Sequence, residues 1–171
     1  MRTYLAGALL TTCVALAVGC NGQAPVASGP SAEGAQYRLA AEPSEAQGVK
    51  AAREAAKDGE EVTLVGRIGG DENPWVEGQA AFMLVDSSLK ACNEKDDDAC
   101  PTPWDFCCDT DVLPQSKAMI KVVGADGRPV ATDARKLLGL KELQTVVVHG
   151  QAKRDEAGNL TVLADGIFVR N

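Results

Sequence analysis

EVTLVGRI, residues 61–68, is the stretch that decides the fold. In an extended chain Val62, Leu64 and Ile68 fall on one side, and mostly polar side chains fall on the other. Gly66 interrupts the apolar side at a point where a strand of a small barrel must bend sharply. The stretch therefore predicts a half-buried, bent β-strand.

Four further strands and two helices are predicted from the same kind of pattern. The strands span residues 80–86, 118–123, 144–153 and 160–169, a short helix spans 132–138, and a hairpin turn lies at Asp155–Asn159. An N-terminal helix is predicted at 44–57, with Ser44 as its cap. Five strands with apolar residues on both faces need a curled sheet, so we predict a mainly β protein built on a closed barrel. A sandwich of the same strands is the alternative.

The order strand, strand, strand, helix, strand, strand resembles the five-stranded OB-fold barrel, which carries its helix between strands three and four. The segments VTLVGRI (62–68) and VVVHGQA (146–152) also look like OB strands, since each has a glycine where the strand would bend. The chain most resembles uncharacterised exported bacterial proteins with OB-like domains. The resemblance implies an OB-like barrel over residues 61–169 and brings no catalytic motif with it.

The first residues have the composition of a bacterial export signal. Residues 1–19 hold one arginine, an apolar run and a small-residue end directly before Cys20. The run is too short for a membrane-spanning helix. LAVGC (16–20) resembles the lipobox of bacterial lipoproteins, which implies cleavage before Cys20 and a diacylglycerol on its thiol. We then expect a lipid-anchored protein of the cell envelope, at its periplasmic or outer face; an ordinary secretory signal is the alternative.

Composition divides the mature chain into a tether and one domain. Residues 20–43 are rich in glycine, proline, alanine and serine, and they predict a flexible tether. Residues 44–171 form the predicted domain. Its longest loop, a cysteine-rich insertion at 87–115, lies between the second and third barrel strands. A loop of this length is usually functional or held by crosslinks.

The charge of the chain narrows its possible partners. The net charge is −7, whereas phosphate backbones and anionic lipids are bound by clustered Lys and Arg. This balance disfavours nucleic acid, and it leaves the lipid on Cys20 as the expected membrane contact. Binding of an oligonucleotide or oligosaccharide through the OB-like face is kept as an alternative that the resemblance implies.

Four cysteines lie close together in the insertion: Cys92, Cys100, Cys107 and Cys108. An even number of clustered cysteines in an exported chain predicts disulfide bonds. Adjacent cysteines form a strained ring, so two pairings are open. Cys92 pairs with Cys107 and Cys100 with Cys108, or Cys92 pairs with Cys108 and Cys100 with Cys107. Either pairing would order a segment that holds seven acidic residues and one lysine between residues 94 and 111.

A metal site is the alternative use of the same cysteines. Zinc, copper or an iron–sulfur cluster accepts several cysteine ligands. The gaps between these cysteines are seven, six and zero residues, unlike the C-x-x-C pairs of common zinc sites. The spacing therefore favours disulfides over metal, with a redox-active vicinal pair as a third possibility.

Three aromatic residues are candidates for a binding surface. Trp75, Trp104 and Phe106 lie in loops near the expected barrel rim, where a small ligand or an envelope protein would meet the domain. His149 is the single histidine, and no Ser or Cys pairs with it obviously, so no nucleophile and base are predicted. The sequence thus predicts a lipid-anchored, disulfide-stapled binding or structural module without catalytic activity; a metal-binding or redox protein is the alternative.

Overall fold

The structure is a computed structural model, and it describes Met1, residues 29–96 and residues 100–170. The predicted signal peptide at 1–19 and the predicted lipid acceptor Cys20 lie outside the described residues. Within the described ranges, no helix combines the length and the apolar character that crossing a bilayer requires.

Seven strands and two helices make up the described chain. The strands are β1 (Gln47–Gly48), β2 (Glu61–Ile68), β3 (Trp75–Val76), β4 (Ala81–Asp86), β5 (Lys117–Val122), β6 (Thr145–Arg154) and β7 (Leu160–Val169). The helices are α1 (Val49–Ala55) and α2 (Ala134–Leu138). Short 3-10 turns span Gly34–Tyr37, Cys92–Glu94, Cys107–Asp109 and Leu113–Gln115.

Five of the strands close into a barrel. β2 pairs antiparallel with β4 and β6, β4 pairs antiparallel with β5, and β6 pairs antiparallel with β7. The parallel pair β5–β7 completes the ring. The two short strands are additions, since β1 pairs with β2 and β3 pairs with β4. The predicted mainly β fold with a closed five-stranded barrel is therefore confirmed, and α2 lies between β5 and β6.

Strand β2 is central to the barrel because it pairs with two other barrel strands, β6 and β4. Its residues Glu61 to Arg67 pair with β6, and its last residues, Gly66 to Ile68, pair with β4. A Cβ on Gly66 would lie 2.5 Å from the Val85 carbonyl oxygen. Glycine is thus required at position 66, where the backbone of β4 lies close to β2.

The two faces of the sheet pack into two separate apolar cores. The barrel interior is filled by side chains that are under 2% exposed, among them Leu64, Ile68, Phe82, Leu84, Ile120 and Ile167. The second core lies outside the barrel wall and consists of Val85, Leu89, Ala91, Phe106 and Leu113, with Leu143 packed against it. β4 contributes to both cores, which explains why the sequence of this strand is apolar on both faces. The second core attaches the cysteine-rich insertion to the barrel.

The N-terminal helix begins later than the sequence predicts. Helix α1 starts at Val49, after the two residues of β1 have paired in parallel with β2. Ser44 does not cap it, so that prediction is wrong. Asp86 of β4 does so instead, because its Oδ2 accepts a hydrogen bond of 2.8 Å from the Lys50 N–H. Glu45, with φ at 60°, keeps the preceding chain out of a helical conformation.

The second half of the predicted tether packs on the barrel. The Ser31 hydroxyl donates to the Leu137 carbonyl oxygen at 3.1 Å, and the Leu39 N–H donates to the Ile167 carbonyl oxygen at 2.9 Å. The Arg38 guanidinium reaches the Leu138 carbonyl oxygen at 3.0 Å. Hydrogen bonds to the domain thus begin at Ser31, before residue 43, where the composition places the end of the tether.

Candidate thiol and metal site

The insertion is attached to the barrel where β2 ends. The Gly70 N–H donates to the Trp104 carbonyl oxygen at 2.7 Å, and the Trp104 indole N–H donates to the Glu72 carbonyl oxygen at 3.0 Å. A Cβ on Gly69 would lie 2.4 Å from that same Trp104 carbonyl oxygen. Two successive glycines thus let the backbone of the insertion approach the barrel directly.

Phe106 fixes the orientation of the cysteine segment. Its side chain is fully buried in the second core, and its backbone has φ 57° and ψ 32°, in the left-handed region. The ring therefore points into the molecule, while the chain turns so that Cys107 emerges at the surface. A left-handed conformation is strained for a bulky residue, and burial of the ring offsets this strain.

Three of the predicted cysteines converge with one carboxylate. Sulfur atoms of Cys92, Cys100 and Cys107 and a carboxylate oxygen of Asp105 all lie within 4.8 Å of one another. The Sγ atom of Cys107 is 3.7 Å from Sγ of Cys92 and 3.9 Å from Sγ of Cys100. We call these four side chains the thiol cluster. Cys92 is fully buried, Cys100 is partly exposed and Cys107 is exposed.

Asp105 is held in place by two hydrogen bonds. The Thr102 hydroxyl donates to its Oδ2 and the Cys107 N–H donates to its Oδ1, both at 2.8 Å. Burial alone would raise the pKa of Asp105, but hydrogen bonds from Cys107, Thr102 and Cys92 outweigh it and hold this pKa below its usual value. Asp105 is therefore a charged carboxylate at neutral pH, next to three thiols.

The pKa of Cys107 shifts in the opposite direction from that of Asp105. Its contact with the Asp105 carboxylate, followed by its contacts with Cys92 and Cys100, raises the pKa of its thiol far above the usual value. Deprotonating this sulfur would put a second negative charge beside Asp105. A cation bound among these side chains would supply the missing positive charge and favour the thiolate.

Surface ion pairs hold the two sides of the insertion. Lys95 Nζ lies 2.9 Å from Asp109 Oδ2, and Arg67 Nη1 lies 2.7 Å from Glu94 Oε2. The same Glu94 oxygen accepts a hydrogen bond from the Ala91 N–H at 2.9 Å. These pairs join β2 and the 3-10 turn at Cys92–Glu94 to the segment that carries Cys107.

The sequence identified the cysteines but not the carboxylate. Cys108 is exposed beside Cys107, whereas Asp105 takes the fourth place in the thiol cluster. Among the described cysteines, no sulfur pair lies at the roughly 2.05 Å of a disulfide bond, so both disulfide pairings stay predictions. No local signal singled out Asp105, because it is one of seven acidic residues between residues 94 and 111.

Two of the three predicted rim residues are buried. Trp75 is 5% exposed in β3, where its indole N–H donates to Glu142 Oε1 at 2.6 Å and the Arg135 guanidinium lies 5.5 Å from its ring centroid. Phe106 is fully buried, and Trp104 is partly exposed. Trp75 and Phe106 therefore do not form an exposed ligand rim, because apolar neighbours cover their rings.

A surface cleft is a second candidate site. It has a volume of about 560 Å³ and lies on the outer faces of β4 and β5, beside the β6–β7 hairpin. Its lining includes Met83, Met119, Lys117, Lys121 and Asn159.

No protein-family model and no curated protein matches this chain.

Proposed function

We propose that the protein is a lipid-anchored, metal-binding module of the bacterial cell envelope without catalytic activity. The observation that supports this proposal is the thiol cluster, in which three sulfur atoms and one carboxylate oxygen lie within 4.8 Å of one another. Four ligand atoms at such separations correspond to the coordination shell of one metal ion.

The sulfur separations favour a metal over a crosslink. In a tetrahedral zinc site with Zn–S bonds of about 2.3 Å, two sulfur ligands lie about 3.8 Å apart. The separations at Cys107 are 3.7 Å to Cys92 and 3.9 Å to Cys100. A disulfide would need about 2.05 Å, and Cys107 could form it with only one of its two neighbours. These two separations thus fit sulfur ligands that share one metal ion.

The donor set favours zinc among the thiophilic metals. Copper(I) prefers soft sulfur ligands alone, and iron–sulfur clusters are usually held by four cysteines. Three thiolates and one carboxylate are donors that Zn²⁺ accepts, and here they would occupy all four tetrahedral positions. A site with no open position is typical of structural zinc, so we assign it no reaction. The unusual cysteine spacing is no obstacle, because the ligands meet through the fold of a loop.

The proposed task of the metal is to order the insertion. Three 3-10 turns are the regular structure described in this segment, and acidic residues dominate it. Binding of a metal to the folded insertion stabilises it, since the unfolded chain offers no preformed site. The attached second core would then present a rigid, metal-ordered surface outside the barrel wall.

Location outside the cytoplasm is the second part of the proposal. A lipid on Cys20 would hold the chain to a membrane, with two or three acyl chains as in bacterial lipoproteins. The barrel-bound segment begins at Ser31, so ten residues separate it from Cys20. A fully extended chain of that length reaches about 35 Å, so the domain would stay close to the membrane surface. The barrel itself would be OB-like, which its strand pairing and the position of α2 support.

A metal titration of the whole chain tests the proposed function. The reduced protein is loaded with Zn²⁺. The number of zinc ions bound per chain is measured by elemental mass spectrometry, and the affinity by isothermal titration calorimetry. We expect one zinc per chain, with affinity reduced at least tenfold by Asp105→Asn. Asp109→Asn is the matched control, because Asp109 pairs with Lys95 and lies outside the thiol cluster. Absence of binding, or equal losses in both variants, would contradict the proposal.

The cleft on β4 and β5 supports a second candidate function, binding of an anionic oligosaccharide. Three cationic side chains and one anionic side chain line it, on a protein whose net charge is −7. Met83 and Met119 add an adaptable apolar surface. A ligand with carboxylates on an extended sugar chain suits this combination and the expected location.

A fluorescent oligogalacturonate is a direct probe of this cleft. We expect saturable binding that weakens several-fold in Lys121→Gln and remains in Lys136→Gln, because Lys136 lies on α2, away from the cleft. Equal binding of a neutral oligosaccharide would remove the electrostatic argument. Preferential binding of single-stranded DNA would instead favour the nucleic-acid alternative.

A further inference from the structure

We propose that oxidation at Cys107 and metal binding exclude each other, so that a disulfide-containing oxidant releases the metal. The inference rests on the proposed function, since it concerns the regulation of the same site. It also joins the two alternatives that the sequence leaves open, because metal and disulfide become two states of one thiol cluster.

Cys107 is the residue that both states share. It has two sulfur neighbours at nearly equal distance, Cys92 at 3.7 Å and Cys100 at 3.9 Å. A disulfide with either neighbour brings two sulfur atoms to about 2.05 Å. The separation then shortens by about 1.7–1.9 Å, which side-chain rotation in a loop can supply. In each case the third sulfur and the Asp105 carboxylate are the ligands that remain.

The exposure of the three sulfurs sets the order of attack. Cys107 is exposed, Cys100 is partly exposed and Cys92 is fully buried. An oxidant therefore reaches Cys107 first. The neighbouring thiols are already within 4 Å of its sulfur, so the second step needs no further opening of the insertion.

The chemistry is thiol–disulfide exchange with an external disulfide, RS–SR. In the zinc-loaded protein the metal would keep Cys107 deprotonated, and this thiolate attacks one sulfur of RS–SR, a mixed disulfide forms, and RS⁻ leaves. The thiolate of Cys92 or Cys100 then attacks the Cys107 sulfur, the intramolecular bond forms, and the second RS⁻ leaves. Two protein thiolates are oxidised to one disulfide, and the oxidant is reduced to two thiols that take their protons from water.

Metal release follows from the loss of ligands. The thiolate is the form of cysteine that binds metal, so each bridge removes two of the four ligands. One thiolate and the Asp105 carboxylate remain, and these two are too few to hold zinc in a tetrahedral site. Reduction of the bridge restores the donor set, so the exchange is reversible.

The first stage of the test separates this inference from the proposed function. The whole chain is loaded with Zn²⁺ under reducing conditions, and bound zinc is counted after removal of excess metal. One zinc per chain is the starting point; its absence here would mean that the proposed function itself has failed. The zinc-loaded protein is then exposed to oxidised glutathione with a chromogenic zinc chelator present.

The second stage measures release and oxidation together. We expect one zinc released per disulfide formed, peptide mapping that finds Cys107 in the bridge, and recovery of zinc binding after dithiothreitol. Cys108→Ser is expected to release zinc in the same way, because the proposed bridge uses Cys107. Zinc that stays bound during oxidation, a chain that carries both the bridge and zinc, or loss of the bridge in Cys108→Ser would overturn the inference.

Discussion

The Thr102 hydroxyl donates a 2.8 Å hydrogen bond to Oδ2 of Asp105, and this bond fixes the carboxylate that lies among the three thiols of the thiol cluster. The other oxygen of Asp105 is held by the Cys107 N–H. The carboxylate is thus oriented before any ligand arrives, which is the role that supporting residues have around structural metal sites.

Loss of the Thr102 hydroxyl should weaken metal binding without removing a ligand. Thr102→Ala leaves the backbone contact from the Asp105 N–H to the Thr102 carbonyl oxygen intact. We expect the zinc affinity to fall about 10- to 100-fold, the range for lost supporting hydrogen bonds. Competition with a chelator of known affinity measures this fall. Thr110→Ala, an exposed threonine after the Cys107–Asp109 turn, should leave the affinity unchanged; equal effects would remove the role given to Thr102.

Phe106 should control whether the insertion stays on the barrel. Phe106→Ala removes the largest side chain of the second core, and such truncations cost about 3–5 kcal/mol. The loss is expected to be local, because the barrel interior is a separate core. Limited proteolysis should then cut the insertion first, while the barrel remains intact. Val112→Ala, at a side chain that is 43% exposed, is the control, and faster cleavage there would contradict the account.

Asp86 should make stability depend on acid pH. Burial would raise the pKa of Asp86, but hydrogen bonds from Lys50 and Ser88 outweigh it and hold the pKa below its usual value. A lowered pKa in the folded state stabilises the protein above the unfolded pKa of about 3.9, and this stabilisation is lost as the pH falls through the folded value.

Asp86→Asn tests this dependence directly. We expect it to cost about 1 kcal/mol at pH 7, because it weakens the cap on α1. The difference from the unmutated protein should shrink as the pH falls below about 4, which urea unfolding at several pH values would measure. Asp71→Asn changes an exposed carboxylate and serves as the control. A difference that stays constant down to pH 2 would argue against the ionised cap.

Leu39 should hold the N-terminal segment on the barrel. Its side chain lies against Gly166, where an added Cβ would be 2.8 Å from Leu39 Cδ2. Leu39→Ala is expected to raise hydrogen exchange of the Leu39 amide at least tenfold, because the packing that protects its bond to Ile167 is reduced. Unchanged exchange would mean that polar contacts, such as the Arg38 bond to Leu138 and the Arg170–Glu42 ion pair, hold the segment without the Leu39 side chain.

The barrel could be predicted because its strands carry their pattern locally. β2 and β7 begin and end at the predicted residues, since alternation, a central glycine and flanking turn residues define them. α1 could not be placed as well, because its start depends on the pairing of β1 with β2 and on a cap from Asp86, far along the chain. Burial of Trp75 in the barrel core, and its contacts with Arg135 and Glu142, likewise involve residues that no local pattern connects to it.

The cysteines of the thiol cluster could be predicted from the sequence, and its carboxylate could not, for a similar reason. Cysteines are distinctive, so the set Cys92, Cys100, Cys107 and Cys108 could be selected from sequence alone. The sequence does not show that Cys107, and not its neighbour Cys108, joins the cluster. Asp105 is one of many acidic residues in the insertion, and nothing in its neighbours singles it out. The left-handed turn at Phe106 and the burial of that ring decide which carboxylate faces the sulfurs, and both are tertiary effects.

Zinc K-edge X-ray absorption of the reduced, zinc-loaded chain tests the central claim most directly. The thiol cluster predicts three sulfur atoms at about 2.3 Å and one oxygen at about 2.0–2.2 Å from the metal. In Asp105→Cys the spectrum should change to four sulfurs. A coordination shell of light atoms without sulfur would contradict the account.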